Sequence, residues 1–238
     1  MNKSAVVHAG SNPLAVQADR LGFEEPSTKE DLIIPRAKLL QALSPEVIEK
    51  PKDYQPGLII NSLTKEVLPD VFIPVFKFTN WIKFNPRNTK DPNFNKDFEP
   101  GAIIWQTTDP TSPLTKEAEF GENGEKPTAI KFLNFFSYFP ESPMPIIASF
   151  GKTSFKAGKT LLSLAQFGGG NMFSRKYRLA AKQVTNDIGT FFVFSVSPAG
   201  IAEGEDYKAA ESLYHQFRAK KVEVHQEDQS NEFANEEN

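Results

Sequence analysis

The chain has 238 residues, of which 24% are charged and 39% hydrophobic, with no cysteine and a formal net charge of −3. That length holds one substantial domain or two small ones, and the lack of cysteine excludes disulfides, thiolate catalysis and cysteine-based zinc sites. No apolar run is long enough for a signal peptide or a membrane helix, so a soluble protein of a reducing cytoplasm is expected.

The net charge is a sum of unlike parts. Residues 1–30 carry three bases and four acids, residues 31–202 carry 20 bases and 16 acids, and residues 203–238 carry four bases and ten acids. A basic body is joined to an acidic end. The 21 phenylalanines supply a core and leave aromatics for a surface.

In chain order, residues 1–30 lack apolar periodicity and read as a flexible arm. Asp31 to Ser44 predicts a short strand and then a helical turn, since Pro35 bars a helix across its start. Leu58 to Leu68 predicts a hairpin around Thr64 and Lys65. Val71 to Phe84 is the longest strand candidate and Ala102 to Thr107 the next, with a long polar loop between them. A second long loop spans Asp109 to Pro127, and loops of this length are usually functional or mobile. Ile130 to Phe139 predicts an aromatic-rich strand. Ser154 to Phe167 has helical spacing, weakened by Gly158 and ended by the glycines from Gly168. Met172 to Lys182 and Thr190 to Ser197 predict two strands joined by a turn in VTNDIG. Asp206 to Lys221 predicts an amphipathic helix with Tyr207, Ala210, Leu213, Tyr214 and Phe217 on one face.

Three strands, a helix and two strands is the order of a five-stranded Greek-key barrel of the oligonucleotide-binding (OB) type. The expected fold is therefore mainly β with minor α. It is an OB-like barrel over residues 31–202 with long loops and an extra N-terminal hairpin. A C-terminal helix over 203–221 and a disordered acidic tail over 222–238 follow.

Two features point to nucleic acid. In Val71 to Phe84 the even positions are mostly apolar, while Lys77, Thr79, Trp81 and Lys83 form the other face. A tryptophan between lysines suits a stacked base and its phosphates; the plainer alternative is a tryptophan capping a second apolar layer. From Ser142 to Asn186 there are seven bases (Lys152, Lys156, Lys159, Arg175, Lys176, Arg178 and Lys182) and no acid. A one-sign stretch raises phosphate affinity in a salt-dependent way; as a plain solvated strand face it would deter aggregation instead. Tyr177 and Trp105 are further stacking candidates. The tail EVHQEDQSNEFANEEN has six acids, no base and one aromatic, Phe233. It reads equally as a solubilising end and as a partner-docking peptide anchored by Phe233.

Other motifs fail. Each GKT triplet would need a P-loop glycine where Ile146 or Thr153 stands. The glycines from Gly168 follow a helix, so they are no dinucleotide fingerprint. His8, His215 and His225 are scattered, and the acid pairs Asp91/Asp97 and Glu117/Glu119 lie in loops. No catalytic residue, metal or cofactor is expected.

The segments IIPRAKLLQALSPEV, PGLIINSLTKEV and FIPVFKFTNWIKFNPR, with SFKAGKTLLSLA, MFSRKYRL and TFFVFSVSP after them, resemble phage-encoded single-stranded DNA-binding proteins of the OB-fold type, over about Leu32 to Pro198. The resemblance implies a non-enzymatic protein of the host bacterial cytoplasm that coats single-stranded DNA during replication and recombination. It also implies recruitment of replication proteins through the acidic tail. Such tails often finish on a phenylalanine, whereas ANEEN follows Phe233 here. RNA as the bound strand and self-association stay open, and a structural or virion-assembly protein is the alternative.

Overall fold

A computed structural model describes residues 33–142, 144–186 and 189–218. The predicted arm (1–30), the acidic tail with Phe233, and the centre of the VTNDIG turn lie outside them. The elements are β1 (Ala37–Leu39), α1 (Pro45–Glu49), β2 (Ile59–Asn61), β3 (Val71–Phe84), β4 (Ile103–Thr107), β5 (Ile130–Tyr138), β6 (Ile146–Phe150), α2 (Phe155–Phe167), β7 (Arg175–Asn186), β8 (Gly189–Ile201) and α3 (Gly204–Phe217). Among the described residues, no helix is long and apolar enough to cross a membrane.

The protein is mainly β. A six-stranded antiparallel sheet runs β6-β5-β3-β7-β8, with β4 also on β3, beside a two-stranded β1-β2 sheet. The large sheet is not closed into a barrel, which corrects the expected closure. Its spine is β3, fourteen residues long, or about 45 Å at the usual rise per residue. β5 pairs along one edge of β3 from Ile73 to Ile82. The other edge is shared: β7 takes Val71 and Phe72, and β4 takes Trp81 to Phe84. Strand β6, Ile146–Phe150, has no counterpart among the strands expected from the sequence. The expected hairpin at Leu58 to Leu68 forms: the Asn61 N–H donates to the Glu66 carbonyl at 2.8 Å and the Leu68 N–H to the Ile59 carbonyl at 2.9 Å around an antiparallel Ile60–Val67 bridge, while β2 also pairs with β1.

The register along β3 slips between Pro74 and Phe76. Proline lacks the N–H a ladder requires, so a proline inside a strand belongs at a bulge. The extra residue reverses which positions face which side. Phe72 therefore joins one apolar layer, with Leu133, Phe135, Phe150, Tyr177 and Leu179 under Leu161 and Ala165 of α2. Ile73 and Val75, and past the bulge Phe76 and Phe78, join the other, with Phe136 and Tyr138 under Ala209, Ala210 and Leu213 of α3. The even-numbered aromatics of β3, expected on one face, are therefore split, with Phe72 on the α2 side and Phe76 and Phe78 on the α3 side.

Both faces of β5 are buried, which is why it reads as a nearly continuous apolar run. The predicted face of α3 does seal the sheet: Phe217 packs 5.1 Å from Phe136, and Tyr207 and Tyr214 lie on Phe173. The small sheet is tied to β8 by the Gln41 amide, which donates to the Phe192 carbonyl and accepts from its N–H, each at 2.9 Å.

Candidate nucleic-acid interface

Beyond the bulge, the side of β3 that continues the α2 layer carries Lys77, Thr79, Trp81 and Lys83. Direct cross-strand partners share a face in an antiparallel sheet. The register therefore sets Lys131 of β5 and Thr107 of β4 on either side of Trp81, and Trp105 beside Lys83. A row Lys131–Trp81–Thr107 crosses three strands. The Nζ of Lys131 lies 5.4 Å from the Trp81 ring centre, a cation–π distance. Lys77 is exposed and donates to Thr79 Oγ1 at 3.2 Å.

Trp81 is only 8% exposed. The sequence placed it outward, and it does point to the lysine face, but Lys131 roofs it. Trp105 is half-buried, and its indole N–H is buried without a hydrogen-bond partner. Lys131 was missed from the sequence because the aromatic run after it reads as core; its register opposite Trp81 is visible only once the strands are paired.

The long loops frame this face. Glu117, in the loop between β4 and β5, accepts from Lys83 Nζ at 2.7 Å and from Thr128 Oγ1 at 3.0 Å. Burial pushes the Glu117 carboxyl up, but the bonds from Lys83 and Thr128 and the Lys83 charge outweigh that and leave it below its ordinary value. The loop between β3 and β4 is knitted by buried Asn85, whose amide donates to the carbonyls of Asn95 and Phe98 and whose oxygen accepts from the Asn95 N–H. This loop carries exposed Arg87, Lys90 and Lys96 beside the end of β3. The interspersed acids Asp91, Asp97 and Glu99 hide them from a search for one-sign runs.

The acid-free stretch does not form one surface. Lys156 and Lys159 are exposed on α2, which covers the same side of the sheet as Trp81; its Gly158 rests against Phe150 and Leu133. Lys152 is half-buried just before α2. In β7, Lys176, Arg178 and Lys182 alternate with Tyr177 and Leu179, which belong to the layer under α2, so these three bases face the opposite side. Their acids come from outside the stretch: Lys176 pairs with Asp206, and Arg178 with Asp70 at 2.6 Å. Arg175 turns back to the Gly168 carbonyl. Tyr177 is 1% exposed, so it is a core residue and its assignment as a stacking platform is corrected. Burial pushes its hydroxyl up, partly offset by the Arg175 charge.

Among the described residues, no cluster of three or more histidines, cysteines or acids is placed to hold a metal. A family model described as Pam3 phage gp34-like protein matches residues 5–223. No curated protein and no solved structure gives a match.

Proposed function

The chain belongs to the Pam3 phage gp34-like protein family, and from the site we propose that it binds single-stranded DNA with little sequence preference and without catalysis. The observation that carries this reading is the Lys131–Trp81–Thr107 row, with Lys77 and Lys83 along the same strand. Bases would stack on Trp81 once Lys131 swings to a phosphate, and on Trp105. Phosphates would also meet Lys156 and Lys159, on the same side of the sheet. A groove with bases, aromatic platforms and framing loops is what sequence-tolerant strand binding requires, and an open sheet meets that need without OB-type closure. In a phage, such binding would serve replication and recombination, with the acidic tail available for partner proteins.

The test is an anisotropy titration of fluorescein-labelled oligo-dT with the full chain. Three to five phosphate contacts give a slope of log affinity on log salt of about −2 to −4 for a single strand. Absence of binding at low salt would remove the reading.

A second reading, a structural or assembly protein, is favoured by exposed Phe120 and Phe167, since exposed apolar patches often mark protein contacts. It expects self-association or partner capture and no response to oligo-dT.

A further inference from the structure

A cavity of about 400 Å³ opens where the end of α2 meets the start of β7 and the end of β8. Its walls include Leu164, Phe167, Pro198 and Ile201, with Arg175 and Tyr177 also lining it. Phe167 is 87% exposed and Ile201 60% exposed. Two large apolar side chains standing in water at the mouth of one pocket are unusual for a surface with nothing to bind. The Tyr177 hydroxyl and the Arg175 Nε are buried and have no hydrogen-bond partner. Buried polar groups normally have one.

The charge of the site has one sign. The charged lining residues are Arg175 and Lys176. Lys176 is held by Asp206, which leaves Arg175, bonded to the Gly168 carbonyl, as the lining charge without an acid. The helix α2 beside it contains no acid.

We propose that this pocket docks an acidic segment of a partner protein, with one aromatic or branched aliphatic side chain seated between Phe167 and Ile201. Carboxylates flanking that anchor meet Arg175. The site is separate from the Trp81 row, so it goes beyond the strand-binding role and does not depend on it.

The test uses the full chain and a fluorescein-labelled twelve-residue peptide of glutamates and serines with one central phenylalanine, followed by anisotropy. Saturable binding is expected, weakened at least about tenfold when the peptide phenylalanine becomes alanine, the scale of one lost buried anchor. Phe167→Ser and Ile201→Ser should each weaken it similarly; both side chains are exposed, so the fold survives, as circular dichroism would verify. Lys77→Glu should leave peptide affinity unchanged. Saturable binding that survives both pocket substitutions overturns the proposal, as does no binding up to about 1 mM, the weak end of specific recognition. Displacement of the peptide by oligo-dT would make the pocket part of a nucleic-acid face and overturn it. Binding seen only in the Phe233→Ala chain would assign the pocket to this protein's own tail and also overturn it. Oligo-dT affinity, measured in parallel, reports on the Trp81 row independently.

Discussion

Lys131 and Trp81, direct partners across β5 and β3, form a cation–π pair with Nζ 5.4 Å from the ring centre. With its ring buried and its ammonium exposed, such a pair is worth between about 0.5 and 2 kcal/mol, small enough for a phosphate and a stacked base to replace it. Lys131→Glu should therefore leave the fold intact and weaken oligo-dT binding about tenfold. It should also reduce the salt slope by about 0.7, one phosphate contact on a single strand. Anisotropy titrations at several salt concentrations check both. Trp81→Ala is the less clean variant: removing so buried a ring costs about 3–5 kcal/mol of stability, which mixes folding with binding.

Glu117 competes with the strand for Lys83. Glu117→Gln should free that lysine and tighten oligo-dT binding by up to about fivefold, the scale of a partly exposed ion pair worth at most about 1 kcal/mol. The pH dependence has a definite sign. A carboxyl lowered on folding contributes stability above its unfolded value and loses it as pH falls through its lower folded value. Acidification below the ordinary carboxylate range should thus release Lys83, and in Glu117→Gln this pH-dependent gain in affinity should vanish.

Gly158 tests the packing of α2. In an exposed helix Gly→Ala stabilises by about 1 kcal/mol. Here an added Cβ would stand 2.7 Å from the Phe150 Cβ and 3.4 Å from that of Leu133. Overpacking costs about 1–3 kcal/mol, so Gly158→Ala should lower the urea midpoint. A raised midpoint would mean that α2 does not sit this close to β6.

These contacts show what could be read from residues alone. The helices α2 and α3 and the strands β3, β4, β5, β7 and β8 were legible because their apolar spacing is strong and local. Strand β6 was not, since five buried residues carry no alternation and the following GKT draws the eye. The two faces of β3 were misread because a bulge at Pro74 reverses parity, and only pairing with β5 reveals it. Lys77, Trp81 and Lys83 share the face expected of them because they lie past the bulge, on one strand. Lys131 was missed because the register that brings it to Trp81 is non-local. The acid-free stretch misled for the same reason: Asp70 and Asp206, distant in sequence, reach Arg178 and Lys176.

A buried polar chain fixes part of that register. Asn134 donates to Asn80 Oδ1 and accepts from Ser149 Oγ, both at 2.7 Å, across β3, β5 and β6. Asn134→Ala would strand both partners, at about 1–3 kcal/mol for each buried group left unpaired. The unfolding free energy from urea titration should fall by a corresponding total of about 2–6 kcal/mol, about twice the effect of Ser149→Ala.

The most direct measurement is intrinsic tryptophan emission of the full chain, titrated with oligo-dT at low and at high salt. Trp81 and Trp105 are the only tryptophans in the chain, and both lie on the proposed face. Saturable quenching that salt relieves, and that persists in Trp105→Phe, is the expected result. Unchanged emission at low salt, with the chain folded, would contradict a strand-binding role for this face.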